Sequence, residues 1–222
     1  MTFMTVNMEE FIFTTIIEQQ PIGGRDLILV VEKCDNVIFL LGECHCDGLR
    51  IDGTCNIWGF NNGQGWNADG FNLLRWISDE KNFFHRYPRH KIFIAEDWHN
   101  DGWVTRPTPQ LGAGMDAEWH WFVHEVRSIL TNPSDQFRDI NGIARALYAR
   151  FNGDAFKRVI FTESHDESGN DNALAHKIDS LNPQSWFAKK RTTLGAALVL
   201  TAPAIPMIWQ GQEIFSIDKF ND

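Results

Sequence analysis

Three short stretches place carboxylates where chemistry could use them: Asp47-Gly-Leu-Arg-Ile-Asp52, Ile94-Ala-Glu-Asp97 and Glu163-Ser-His-Asp-Glu167. Each follows a run rich in β-branched or aromatic residues, Val37-Ile-Phe-Leu-Leu, Lys91-Ile-Phe-Ile and Val159-Ile-Phe-Thr in turn. A strand that hands over to a loop at an acid, three times over, predicts carboxyl groups gathered at one end of a parallel sheet. Two such groups in opposite protonation states are what cleavage of a sugar acetal requires. Taken singly, each acid has a plainer account: Asp52 could cap a loop, Glu96 could pair with a nearby Lys or Arg, and Asp166 could belong to a solvated turn. Those separate accounts give no reason for a shared placement with Arg50 and His165 alongside. Arg50 lies two residues before Asp52 and so on the same strand face, where its guanidinium can keep that carboxylate ionised. Asp97 and Glu167 neighbour the principal acids and face the other way, which makes them supporting or loop residues. Glu163 and Glu213 read as structural, and His99 and His120 as ordinary polar positions.

The elements that must hold these acids follow from periodicity. Val30, Cys34, Val37 and Leu41 form an apolar stripe that predicts a helix from about Leu27 to Gly42. His45 to Asp52 reads as a strand, Gly65 to Phe84 as a long helix burying Leu73, Leu74, Ile77 and Phe84, and Lys91 to Glu96 as the next strand. A loop holding Trp98, Trp103 and Pro107-Thr-Pro leads to a short strand at Gly114 to Trp119. Helices are predicted at Trp121 to Leu130 and Asp139 to Phe151, and a strand at Arg158 to Glu163. A further helix spans Trp186 to Leu200, with Ala196, Ala197, Leu198 and Leu200 inside, before a last strand from Ala204 to Trp209. Strands alternating with helices at this spacing predict βα units and a parallel sheet. Residues 11–17 favour a strand without clean alternation, and the first thirty residues are the least readable.

Composition limits the partners. The 222 residues are 43% apolar, enough to bury a full core, and no low-complexity linker interrupts them. A net charge of −9 with no run of Lys or Arg argues against nucleic acid and against an anionic membrane surface, leaving neutral ligands. Nine Trp is a heavy loading. Most would fill the core, but Trp66, Trp98, Trp103 and Trp119 lie near the motif loops, where indole rings can stack on sugars. Cys44-His45-Cys46 suggests a metal only until strand alternation is considered, which puts His45 on the opposite face, with no second ligand pair at finger-like spacing. Neither a metal nor another cofactor is expected, and the thiols read as free and buried in a reducing cytoplasm. The start lacks a basic, apolar leader and no later run is long enough to span a membrane, so a soluble cytoplasmic protein is expected.

The three acidic motifs, in this order and at these separations, resemble the second, third and fourth signature regions of the α-amylase superfamily of glycoside hydrolases and transglycosidases. Thr201-Ala-Pro-Ala-Ile-Pro-Met-Ile-Trp-Gln-Gly-Gln-Glu213 resembles the family's eighth barrel strand and following loop. With Leu194-Gly-Ala-Ala-Leu, the set looks most like bacterial 1,4-α-glucan branching enzymes and their trehalohydrolase-like relatives. The resemblance implies a (β/α)8 barrel acting on α-1,4-glucans by a retaining mechanism. It implies Asp52 as nucleophile, Glu96 as general acid/base and Asp166 as the third carboxylate, which grips sugar hydroxyls. Arg50, His165 and Trp98 are the implied substrate-binding residues.

The matching domain covers residues 35–222, and residues 1–34 match poorly. Residues 11–33 look like a worn form of the loop before the fourth strand, with Ile22 where Trp is expected. The expected fold is therefore a partial barrel, strands four to eight with their helices, lacking strands one to three and the Asp-x-x-x-Asn-His motif of the third. Such a sheet would leave edges bare at residues 45–52 and 204–209, inviting self-association unless the N-terminal 40 residues patch one edge, and leaving little or no catalytic activity. An enzyme part and a non-catalytic remnant that binds glucan weakly are the two alternatives. Branching, α-1,4 hydrolysis and trehalose-releasing hydrolysis are not separated by the motifs.

Overall fold

The computed structural model describes residues 3–6, 36–60, 65–83, 91–169 and 172–217. The chain divides into two compact units, Met1–Trp119 and His120–Asp222. Both combine helices with parallel strands.

In the first unit, strand β1 (Phe3–Val6) precedes a helical stretch at 36–42 (α1) and strand β2 (Gly48–Ile51). Helix α2 (Thr54–Trp58) and a small antiparallel hairpin, β3 (Gly59–Phe60) with β4 (Gly65–Trp66), come next. Helix α3 (Ala68–Phe83) leads to β5 (Ile92–Ala95) and β6 (Ala117–Trp119). The ladder is parallel throughout: β1 pairs β2 from Phe3↔Gly48 to Val6↔Ile51, β2 pairs β5 from Gly48↔Ile92 to Ile51↔Ala95, and β5 pairs β6 at Ile94↔Ala117. All four residues of β2 are buried, as a strand covered on both faces must be. Gly48 is required by this close pairing, because a Cβ there would lie 2.1 Å from the Ile92 carbonyl oxygen. Val37 and Leu41 of α1 and Leu73, Leu74 and Ile77 of α3 join Leu49, Ile51 and Phe93 in one core.

Three expectations change here. Strand β2 starts at Gly48 and not at His45, whose φ of 56° turns the chain. The alternation used for Cys44 and Cys46 therefore does not apply, and Cys44 is exposed while Cys46 is buried. The strand at 45–52 does not carry a bare edge: the N-terminal segment covers it, β1 pairing along all four residues of β2, with β5 on its other side. The strand expected at 11–17, Ile22, the start of the first helix, Phe84 and the boundary at residue 34 lie outside the described residues.

The second unit contains α4 (Phe122–Thr131), α5 (Ile140–Tyr148), β7 (Arg158–Ile160), α6 (His165–Ser168), α7 (Leu174–Ile178), α8 (Trp186–Thr201) and β8 (Ile205–Pro206). Strands β7 and β8 are parallel, with Val159 opposite Ile205. Phe122, Val126, Leu130, Ile160, Leu174 and Val199 form its core. In α8 the buried face is Ala188, Thr192, Gly195 and Val199, whereas Leu200, expected inside, is 62% exposed. Its polar residues, Lys189 to Thr193, are consecutive and so fall on every side, and periodicity could not select a face. Contact did: at Gly195 a Cβ would lie 2.8 Å from Leu130, so that side of α8 packs too closely for a large residue. Among the described residues no helix is long and apolar enough to cross a membrane.

Candidate active site

Strands β2 and β5 lie side by side in register, so the residues just past their ends meet. Arg50, only 5% exposed, sends Nη1 to Asp52 Oδ1 and Nη2 to Glu96 Oε2, the latter at 2.9 Å. The same Glu96 oxygen accepts from the Gly53 backbone N–H at 2.9 Å. Gly53 aims that N–H by sitting in the left-handed region at φ 51°, where a side chain would strain the backbone. Burial pushes the Glu96 carboxyl up to about 7. Arg50 and the Gly53 N–H oppose the rise, and Asp52 adds to it through its charge and a shared hydrogen bond. The arrangement gives one carboxyl ion-paired to arginine beside a second that can hold a proton near neutrality.

Next to Glu96 in the chain stands a further, buried carboxylate. Asp97 Oδ2 accepts from Thr54 Oγ1 at 2.8 Å and from Trp58 Nε1 at 2.7 Å, while its Oδ1 accepts from the His99 N–H at 3.1 Å. Thr54 and Trp58 are four residues apart on α2 and so reach the same acid from one helix face. Thr54 also bonds the Glu96 carbonyl through both its backbone N–H and its hydroxyl, which fixes the end of β5. Despite these donors, burial raises the Asp97 carboxyl above its ordinary value. On β6, Glu118 is 1% exposed and is pushed up to about 9, first by burial and then by the charges of Asp97 and Asp101. Burial likewise lifts the Cys55 thiol to about 12, which leaves it unreactive.

Aromatic rings stand close by. Trp58 lies 5.6 Å from Trp66, which lies 6.4 Å from Trp103. Trp66 and Trp98 are about half exposed, at 51% and 48%. Trp119, expected to face sugar, instead lays its ring under Arg50, with the guanidinium carbon 4.3 Å from the ring centroid. The structure brings Arg50, Asp52 and Glu96 together. The sequence reading missed the Gly53 N–H and the Thr54–Trp58 grip on Asp97, although the i, i+4 spacing just after the motif was the available signal.

In the second unit Asp166 and His165 occupy α6, a single turn capped by Ser164, whose hydroxyl accepts from the Glu167 N–H at 3.3 Å. His165 Nε2 lies 3.3 Å from Asp166 Oδ1, and the Asp166 side chain is 51% exposed. Buried contacts hold the turn from below. Glu163 accepts from the Leu174 N–H at 2.6 Å, and Glu167 pairs with Arg127 at 3.1 Å. Gln212 donates to Thr162 Oγ1 at 2.8 Å and accepts from the Trp209 N–H at 3.2 Å, which explains why a glutamine follows Gly211.

No family model matches the chain. A malto-oligosyltrehalose trehalohydrolase of Saccharolobus solfataricus is 28% identical over 203 residues, covering 81% of this chain and 33% of that protein. The 1,4-alpha-glucan branching enzyme GlgB of Photobacterium profundum is 29% identical over 146 residues, 60% of this chain and 19% of its own length. GlgB of Bacillus caldolyticus is 25% identical over 194 residues, covering 83% and 27%. The chain thus spans about a third or less of the curated relatives it matches. Among solved structures, an Anoxybacillus α-amylase superposes on 89% of this chain and 38% of its own, with a TM-score of 0.61 and 18% identity. A type I pullulanase from Bacillus subtilis complexed with maltose covers 85% and 27%, with a TM-score of 0.59 and 18% identity. These two likenesses are of fold alone. In sequence the chain is thus similar to a trehalohydrolase and to branching enzymes, and in fold to an α-amylase and a pullulanase.

Proposed function

We propose that this chain carries the carboxylate set of a retaining α-glucan transglycosidase of the branching kind, housed in strands four to eight of a partial barrel. Asp52 attacks the anomeric carbon, and Glu96 first protonates the leaving oxygen and then deprotonates the hydroxyl of an acceptor glucan. Asp166 is the third carboxylate, gripping sugar hydroxyls as the ring flattens. Arg50 keeps Asp52 anionic, His165 donates to a sugar hydroxyl, and Trp98 stacks on the substrate. A cytoplasmic setting and a role in glycogen-type glucans belong to the same reading.

The observation that carries it is the single Arg50 guanidinium spanning Asp52 and Glu96, with Glu96 pushed up to about 7. Retaining cleavage calls for two carboxyls about 5 Å apart, one ionised and one protonated. A shared arginine holds two such groups close while burial raises the Glu96 carboxyl. The substrate class is supported by the maltose bound to the structurally similar pullulanase and by the names of the curated relatives.

Amylose incubated with residues 1–222 tests the reaction type. Branching lowers the iodine absorbance slowly with no matching rise in reducing ends, and Asp52→Asn removes the change. Reducing ends rising in step would replace branching with hydrolysis. No change in either signal, with amylose still bound, would make the chain a non-catalytic glucan binder.

A further inference from the structure

We propose that Trp119 is a positioning residue whose indole face holds the Arg50 guanidinium in the orientation that serves Asp52 and Glu96 together. This inference rests on the catalytic reading above for its functional meaning, though not for its geometry. Arg50 is 95% withdrawn from solvent, since only 5% of it is exposed, so water cannot orient it. Nη1 bonds Asp52 and Nη2 lies at ion-pair distance from Glu96, but neither Nη2 nor Nε has a partner in hydrogen-bond geometry. Two contacts at one end of a planar group leave it free to rock about its long axis, and a swing towards either acid would release the other.

The Trp119 ring, 4.3 Å below the guanidinium carbon, removes that freedom. Cation–π contacts of this kind strengthen when desolvated, and stacking favours a guanidinium plane parallel to its support. The topology explains why the ring is available. Trp119 ends β6, and alternation along that strand turns Glu118 to the opposite side. Strand β6 pairs β5, which pairs β2, so the indole crosses β5 to reach Arg50 past the Ile94 position that faces it. A residue that the sequence offers as a sugar platform thereby has one face committed to the catalytic arginine.

Two NMR measurements on the full chain test this. In the parent protein the Arg50 Nε–H resonance should show an upfield ring-current displacement, which Trp119→Leu abolishes and Trp119→Phe partly retains. Carboxyl-carbon titration of Glu96, which faces Arg50 and Asp52, should give a midpoint near 7 in the parent. In Trp119→Leu that midpoint should rise by about 0.5 or more, because the cation that lowers it is no longer held in place. Trp119→Phe should restore most of the difference.

An unshifted Arg50 resonance in the parent, which requires no variant to fold, would overturn the proposal. So would equal Glu96 midpoints in the parent and a folded Trp119→Leu protein. If Glu96 instead titrates near 4.5 in the parent, the acid/base reading fails while the Arg50 resonance still decides the role of Trp119.

Discussion

Arg50 is asked to serve two acids at once, and the residues around it show how that is arranged. Two of its three partners were legible in the sequence. Strand alternation puts Arg50 and Asp52 on one face, and the parallel pairing of β2 with β5 brings Glu96 alongside. The third, Trp119, was not legible as such, because a ring beneath a guanidinium depends on strand register and leaves no spacing signature. The raised carboxyls have a measurable consequence for stability. A carboxyl held above its unfolded value keeps its proton in the folded chain after the unfolded chain has lost it. Stability from such a group is therefore complete below its ordinary 4.5 and is lost as pH rises through its folded value, about 7 for Glu96 and about 9 for Glu118. His120, held down to about 4, acts in the opposite direction but only on the acid side of its ordinary 6.5. Between about pH 7 and 8.5, urea unfolding should accordingly show stability falling by about 1 kcal/mol per pH unit. Glu118→Gln should flatten that slope and raise stability at the alkaline end. An unchanged slope would mean that Glu118 is already ionised in the folded chain.

At the scale of elements, the long pieces were readable and the short ones were not. Helices α3, α4 and α8 and strand β5 fall within a few residues of their expected positions, because an apolar stripe or a β-branched run marks each. Strand β1 went unread because four residues near a terminus carry no pattern of their own. Only the partner strand makes them a strand. Helix α2 was missed for a related reason: five residues after a glycine do not complete an amphipathic period. The face of α8 was misread because its polar residues, Lys189 to Thr193, are consecutive and so mark no single side, and the residues at 188, 192, 195 and 199 decide what can approach. The close spacing of β2 and β5 gives a sharp expectation. Gly48→Ala should destabilise the first unit by about 2 kcal/mol or more, since the new methyl would collide with the Ile92 carbonyl. Because the collision is with backbone, β2 must shift, and Arg50 with it. A thermal melt within a degree or so of the parent would show that the ladder is looser than the pairing implies.

For the whole molecule, charge and composition indicate a class of ligand while the motifs indicate a reaction. A net charge of −9 disfavours polyanions. What the sequence could not supply was the protonation state of Glu96, which depends on how deeply the fold buries it. The central claim is that Asp52 is a glycosyl-accepting nucleophile, and a fluorinated α-maltosyl fluoride tests it in a single turnover, however slow the chain is with natural glucans. Mass spectrometry of the digested protein should find one maltosyl adduct, on the peptide carrying Asp52, absent in Asp52→Asn and slow to hydrolyse in Glu96→Gln. An intact, folded chain that acquires no adduct, or acquires it equally in Asp52→Asn, would contradict the account.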